Sequence, residues 1–138
     1  FAPSLAVILA IAGSVVYHLS IKFVPSGVNP FLSLSLSYGI ALLLCLPGIY
    51  FYDGSRSFQI LNWSVAGVAL GILGIELGFL LLYRAGGHLG ISSFLTNAAG
   101  TLLLLPIGLL FFREAFSVTR LLGMGVALCG LWMMMPRK

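Results

Sequence analysis

Charge is what this 138-residue sequence has least of: seven Lys and Arg, three Asp and Glu and two His, with 7% charged residues in all. A water-soluble globule this small keeps much of its surface in solvent and needs far more polar side chain to cover it, which excludes a soluble domain. The same scarcity excludes a nucleic-acid footprint. The net charge is +4, but the cations stand singly at the ends of apolar runs and form no basic patch. Cysteine is almost as sparse. Cys45 and Cys129 both lie inside apolar runs without a second thiol or a histidine at ligand spacing, so neither a disulfide nor a zinc site is expected. His18 and His88 lack an acidic partner at motif spacing, there is no phosphate loop, and one deep carboxylate makes no acid/base pair. The expectation is a chain that is not an enzyme and has no catalytic residues, no metal and no cofactor.

Apolar residues fill the sequence instead, at 60% of the total. A spanning helix needs about 20 predominantly apolar residues, and five stretches meet that length. The first covers about 3–24 and is ended by Pro25, Ser26, Gly27, Asn29 and Pro30. The second covers about 31–51 and is closed by Asp53, Gly54, Ser55 and Arg56. The third, about 63–83, leads into Arg84 and the Gly86-Gly87 turn, and the fourth, about 90–112, stops at Arg113-Glu114. The fifth, about 119–135, is followed by Pro136, Arg137 and Lys138. These runs predict an all-α polytopic membrane protein, a single domain over 1–138 with five transmembrane helices joined by short turns, so that successive helices are antiparallel. Leu5 to Ile21 has no basic region before it and no small-residue cleavage site after it, so the first helix is expected to stay in the membrane.

Small residues mark faces that let another backbone approach, because lipid is as apolar as leucine and helices in it associate through close packing. In the third run Gly67, Gly71, Gly74 and Gly78 fall on one face at about 100° per residue, and that face is expected to pack closely. Gly123, Ala127 and Gly130 form a similar row in the fifth run, the better candidate for a contact between subunits.

Glu76 is the strongest functional signal. It lies eight residues before Arg84, roughly 12 Å of helix, at a depth where an ionisable group costs on the order of 2.5–3.5 kcal/mol to insert. By helical angle it is nearly opposite the glycine row, on the face of Leu80 and Tyr83. It reads as a proton or cation site in a wet cavity, or as a protonated carboxyl bonded to a neighbouring helix. Ser14, His18 and Lys22 make one polar stripe at i, i+4 and i+8 of the first run. Histidine titrates near neutral pH, while the lysine can snorkel from the helix end to the interface. Ser93, Asn97 and Thr101 repeat that spacing in the fourth run; the hydroxyls can satisfy themselves on their own helix, but the Asn97 amide wants a partner such as Glu76, water or a substrate. Pro106 is expected to kink the fourth helix.

Three residue groups carry a family likeness: LLYRAGGHLGISS at the end of the third run, FFREAF with Glu114 at the exit of the fourth, and LLGMGVALCGLW with Gly123 in the fifth. Through them the stretch from Gly71 to Met135 resembles the EamA-type domain of the drug/metabolite transporter superfamily. It also resembles the last three helices of the small multidrug resistance proteins. Two departures stand out. The membrane glutamate that those exporters carry in their first helix falls at Ser14, so their coupling site does not carry over, and a proline common in the fourth EamA helix falls near Thr101, with Pro106 displaced. The resemblance implies a half-transporter that dimerises to enclose a path, in the inner membrane of a prokaryote. Its substrate would be a small organic metabolite or amphipathic cation, exported by alternating access, with proton coupling through Glu76 as one source of energy. A flippase for a lipid or polyprenyl-linked head group is the alternative within transport, and a non-transporting subunit of a membrane complex the alternative outside it.

With five spans, Arg56, Arg113 and Arg120 lie on one side and Lys22, Arg84, Arg137 and Lys138 on the other, three against four. That balance specifies orientation weakly, and an antiparallel homodimer follows as one of its consequences. Single cysteines at positions 55 and 137, with Cys45 and Cys129 replaced, test it in intact cells with a membrane-impermeant reagent. Dual insertion predicts partial labelling at both positions; full labelling at one and none at the other fixes a single topology.

Overall fold

The computed structural model describes residues 2–113, 115 and 117–135. Glu114, Pro136, Arg137 and Lys138, which entered the sequence reading as segment-end signals, lie outside the described residues. The chain forms α1 (Pro3–Phe23), α2 (Pro30–Phe51), α3 (Ser64–Arg84), α4 (Leu89–Phe111) and α5 (Val118–Met134), with one 3-10 turn at Phe58–Ile60 and no strand among the described residues. Helices α1 to α4 are long and apolar enough to cross a membrane, as an integral membrane protein requires. α5 has 17 residues and is shorter, so among the described residues four helices of spanning length stand where five were expected.

The helix ends follow from local chemistry. Pro25 disfavours a helical conformation at the residue before it, and Val24 is extended at φ −61°, ψ 125°. Asn29 then caps α2: its side-chain oxygen accepts from Phe31 N at 2.9 Å and Leu32 N at 3.4 Å. Pro30 takes the first helical position, where no N–H is needed. At the other end Arg56 folds back, Nε donating to Ile49 O at 2.8 Å and Nη2 to Tyr50 O at 3.2 Å. A cation there meets both the orphan carbonyls and the negative end of the helix dipole. α3 stops at Gly86, whose φ of +93° is the left-handed conformation that glycine adopts without strain. α4 runs as one helix through Pro106.

The chain divides into two compact units, Phe1–Gly86 and Gly87–Lys138. In the first, α3 packs against both α1 and α2. Its buried residues are Phe79, Leu80 and Tyr83, a single side of the helix, while α1 buries Ile21 and α2 buries Leu34. In the second unit α5 lies along α4, with Leu121, Met124 and Leu128 turned to the grooves that α4 lines with Leu102, Leu105 and Leu109. Most other large apolar side chains are exposed, as lipid-facing side chains are.

The glycine row of α3 does not do what was expected of it. A Cβ placed on Gly71, Gly74 or Gly78 would meet no atom within 4 Å, and on Gly67 only the ring of Trp63 in the same helix turn. α3 meets its neighbours through the opposite, larger-residue side, which leaves the small-residue face open.

Leu80 is 1% exposed and Leu70 72% exposed on the same helix. Because lipid also solvates leucine in the unfolded state, truncation costs mainly lost contacts. Leu80→Ala should destabilise by about 1–3 kcal/mol in reversible unfolding in mixed micelles, and Leu70→Ala by close to nothing. Equal effects would contradict this packing.

Candidate functional site

A cleft of about 150 Å³ lies between the three helices of the first unit. Its polar lining is Tyr17 and Ser20 from α1, Ser33 and Ser37 from α2, and Glu76 from α3. Ile21, Val24, Leu34 and Leu80 supply the apolar wall. The helical period explains why they meet: Tyr17, Ser20, Ile21 and Val24 recur at three or four residues, as do Ser33 and Ser37, and Glu76 and Leu80. Glu76 is half-buried.

The hydroxyls fall into two groups. Ser33 Oγ donates to Pro30 O at 2.9 Å and Ser37 Oγ to Ser33 O at 2.9 Å, each on its own helix. Tyr17 and Tyr38 are different: both hydroxyl oxygens are buried, neither is bonded to its own helix, and both stand beside Glu76, with Tyr38 within hydrogen-bonding reach of the carboxyl. A buried hydroxyl without a partner costs about 1–3 kcal/mol. Glu76 is the acceptor at hand for both phenols.

An aromatic cluster adjoins the cleft. Tyr83 Oη and His18 Nδ1 are joined by a hydrogen bond of 2.8 Å, tying α3 to α1. The Phe79 ring meets His18 edge-on at 4.6 Å and Tyr17 at 6.2 Å, and stacks on Tyr83 at 5.8 Å. Lys22 Nζ lies 5.9 Å from the Tyr83 ring centroid, within cation–π range. Arg84 Nη2 donates to Pro25 O at 3.1 Å and Val28 O at 2.7 Å, which pins the α1–α2 turn to the end of α3.

Of the residues expected at a site, Glu76, His18 and Tyr83 are brought together in the first unit, with Glu76 in the cleft and the other two in the adjoining cluster. Ser14 is exposed, one turn before His18, and does not line the cleft. Ser93, Asn97 and Thr101 belong to the second unit. There Ser93 Oγ donates to Gly90 O at 3.4 Å and Thr101 Oγ1 to Asn97 O at 2.7 Å, the local satisfaction open to hydroxyls in a helix. The Asn97 side chain is exposed and, with Thr101 and Ala127, lines a groove of about 250 Å³ between α4 and α5. Gly123 and Gly130 face open space, with no atom within 4 Å of an added Cβ. Sequence reading passed over Tyr17 and Tyr38. The signal for them was chemical: a phenol deep in an apolar helix carries a hydroxyl that needs a partner.

Compared with protein-family models, with curated proteins and with solved structures, the chain matches none.

The His18–Tyr83 bond is testable as a tie between α1 and α3. A double-mutant cycle of His18→Phe and Tyr83→Phe should give a coupling of about 0.5–1.5 kcal/mol in reversible unfolding. Additive effects would mean that the bond contributes nothing.

Proposed function

We propose that this protein is a secondary transporter of small organic metabolites or amphipathic cations that handles its substrate, or the proton that drives it, at Glu76. The observation that carries this reading is the position of the carboxyl. It is set in an apolar helix of spanning length, it lines a cleft made by three helices, and two buried phenol hydroxyls stand beside it. Ionisable residues inside membrane helices are costly and mark ion and substrate pathways. The carboxyl meets the phenols of two neighbouring helices and also lines the cleft, where a ligand can reach it.

The family reading belongs to the same proposal: one EamA-like domain of five spans, with α5 as the fifth, residing in a prokaryotic inner membrane. A single repeat with one cleft then works as a homodimer by alternating access. On α5, Gly123 and Gly130 face open space while Ala127 between them lines the α4–α5 groove; the two glycines support the contact between subunits, since small residues let two backbones approach. The near balance of charge on the two sides supports an antiparallel pair.

Purified protein in liposomes with an imposed proton gradient tests the reading. Uptake of an organic cation should be pH-dependent in the wild type, and Glu76→Gln should reduce the gradient-driven component about tenfold or more while leaving the helical fold intact. Undiminished pH-dependent flux in Glu76→Gln would remove Glu76 from the mechanism. Absence of flux in the wild type across a panel of cations and metabolites would favour the non-transporting subunit. In detergent, Gly130→Leu should shift light scattering from dimer to monomer with helicity unchanged; a dimer that persists would place the contact elsewhere.

A further inference from the structure

The polar groups of the cleft differ in how much of their hydrogen-bonding capacity the protein already uses. Ser33 and Ser37 each donate their only hydroxyl hydrogen to a carbonyl of α2 at 2.9 Å, so toward the cleft they present oxygen lone pairs alone. An ionised Glu76 accepts only, with about four lone-pair directions. Tyr17 and Tyr38 have one O–H each, and both phenols stand beside Glu76, toward which the hydrogens can rotate. Once they do, two donors are matched to one carboxylate, and the cleft keeps the remaining lone pairs of Glu76, Ser33, Ser37 and Tyr17, with the Ser20 hydroxyl, able to donate or accept, as its other polar group. Among the described residues lining the cleft, none is a Lys, Arg or His. Arg84, at the end of the same helix, is engaged with the carbonyls of Pro25 and Val28, and Lys22 Nζ lies over the Tyr83 ring.

A ligand that satisfies such a site has to bring donors and a positive charge. From this we infer that the cleft takes a primary ammonium, a small organic cation whose head carries N–H donors, and that it discriminates against the quaternary ammonium of the same chain. A quaternary head has the charge but no hydrogen to give. The volume of about 150 Å³ suits a compact head with a short alkyl tail, and Ile21, Leu34 and Leu80 offer the tail an apolar wall. The physiological use of the site rests on the transport reading of this same cleft; the binding chemistry stands apart from it. A site with buried acceptors rejects an analogue that cannot donate far more strongly than an apolar pocket rejects one extra methyl group.

The test is a methylation series titrated calorimetrically into the full chain in lipid nanodiscs: butylammonium, butyldimethylammonium and butyltrimethylammonium, with 1-butanol as the uncharged control. Affinity should fall at each step, by about tenfold or more overall, and 1-butanol should not bind. Added methyl groups also add bulk, and Ser37→Ala separates the two effects. Loss of one acceptor should weaken butylammonium several-fold and leave butyltrimethylammonium unchanged or tighter, in a variant whose helicity and thermal transition match the wild type. If Ser37→Ala disturbs the fold, Ser33→Ala serves as the second acceptor deletion. A flat series, tighter binding of the quaternary cation, a gradient that neither serine variant alters, or no binding by any member overturns the inference. The graded series in a protein that moves no amine overturns the transport reading and leaves the ammonium site standing. Proton-coupled flux with a flat series does the reverse.

Discussion

A carboxyl group set well inside an apolar helix is the constraint around which the first unit is arranged. Inserting such a group into hydrocarbon costs several kcal/mol unless protein or water surrounds it, and a glutamate side chain is too short to escape along the helix. The solution is geometric. α3 takes the position in contact with both other helices, turning the side that carries Glu76, Phe79, Leu80 and Tyr83 toward them. Its glycine row lies on the other side. With lipid outside, an exposed leucine costs nothing, so the few buried residues and the few polar contacts determine how these helices sit.

Those polar contacts are placed where they hold the walls of the cleft. The 2.8 Å bond from Tyr83 to His18 ties α1 to α3 beside Glu76. Arg84 reaches back to the carbonyls of Pro25 and Val28, fixing the α1–α2 turn one residue beyond Val24, which lines the cleft. Asn29 caps α2 immediately after that turn. Three successive devices therefore settle how α1 hands over to α2 and how both meet α3. The hydroxyls of Ser33 and Ser37 use their own helix backbone and add nothing to this tie, while the two phenols meet Glu76 at its centre.

Much of this arrangement was legible in the sequence, and the reasons for the rest are physical. Apolar runs bounded by Pro, Gly, Asn and Arg gave helices at α1 to α4 because a spanning segment has one length scale and a turn has few chemistries. The face shared by Glu76, Leu80 and Tyr83 followed from the 3.6-residue period alone. Which side of α3 packs did not follow, since glycines signal that close approach is possible without saying that a partner comes. Tyr17 and Tyr38 were missed because a tyrosine beside a histidine or a serine has no periodic signature; only the choice of neighbours turns its hydroxyl toward Glu76. For Asn97 the chemistry asks for a partner such as Glu76, water or a substrate, and within its own unit the side chain lines a groove between α4 and α5. Helix spacing along the chain carries no information on that division.

The central claim is that water and solutes reach the cleft beside Glu76 while the surrounding helix faces lipid. It is tested most directly by thiol accessibility with Cys45 and Cys129 replaced by serine. Ser37→Cys lines the cleft, and Leu36→Cys, one residue earlier at nearly the same depth, is 63% exposed and outside the cleft lining, on the side the account gives to lipid. A membrane-impermeant thiol reagent applied to protein in nanodiscs should modify Cys at position 37 and leave Cys at position 36 unmodified. Failure at both positions would show a sealed interior, equal labelling at both would place this part of α2 in bulk water, and either result would contradict the account.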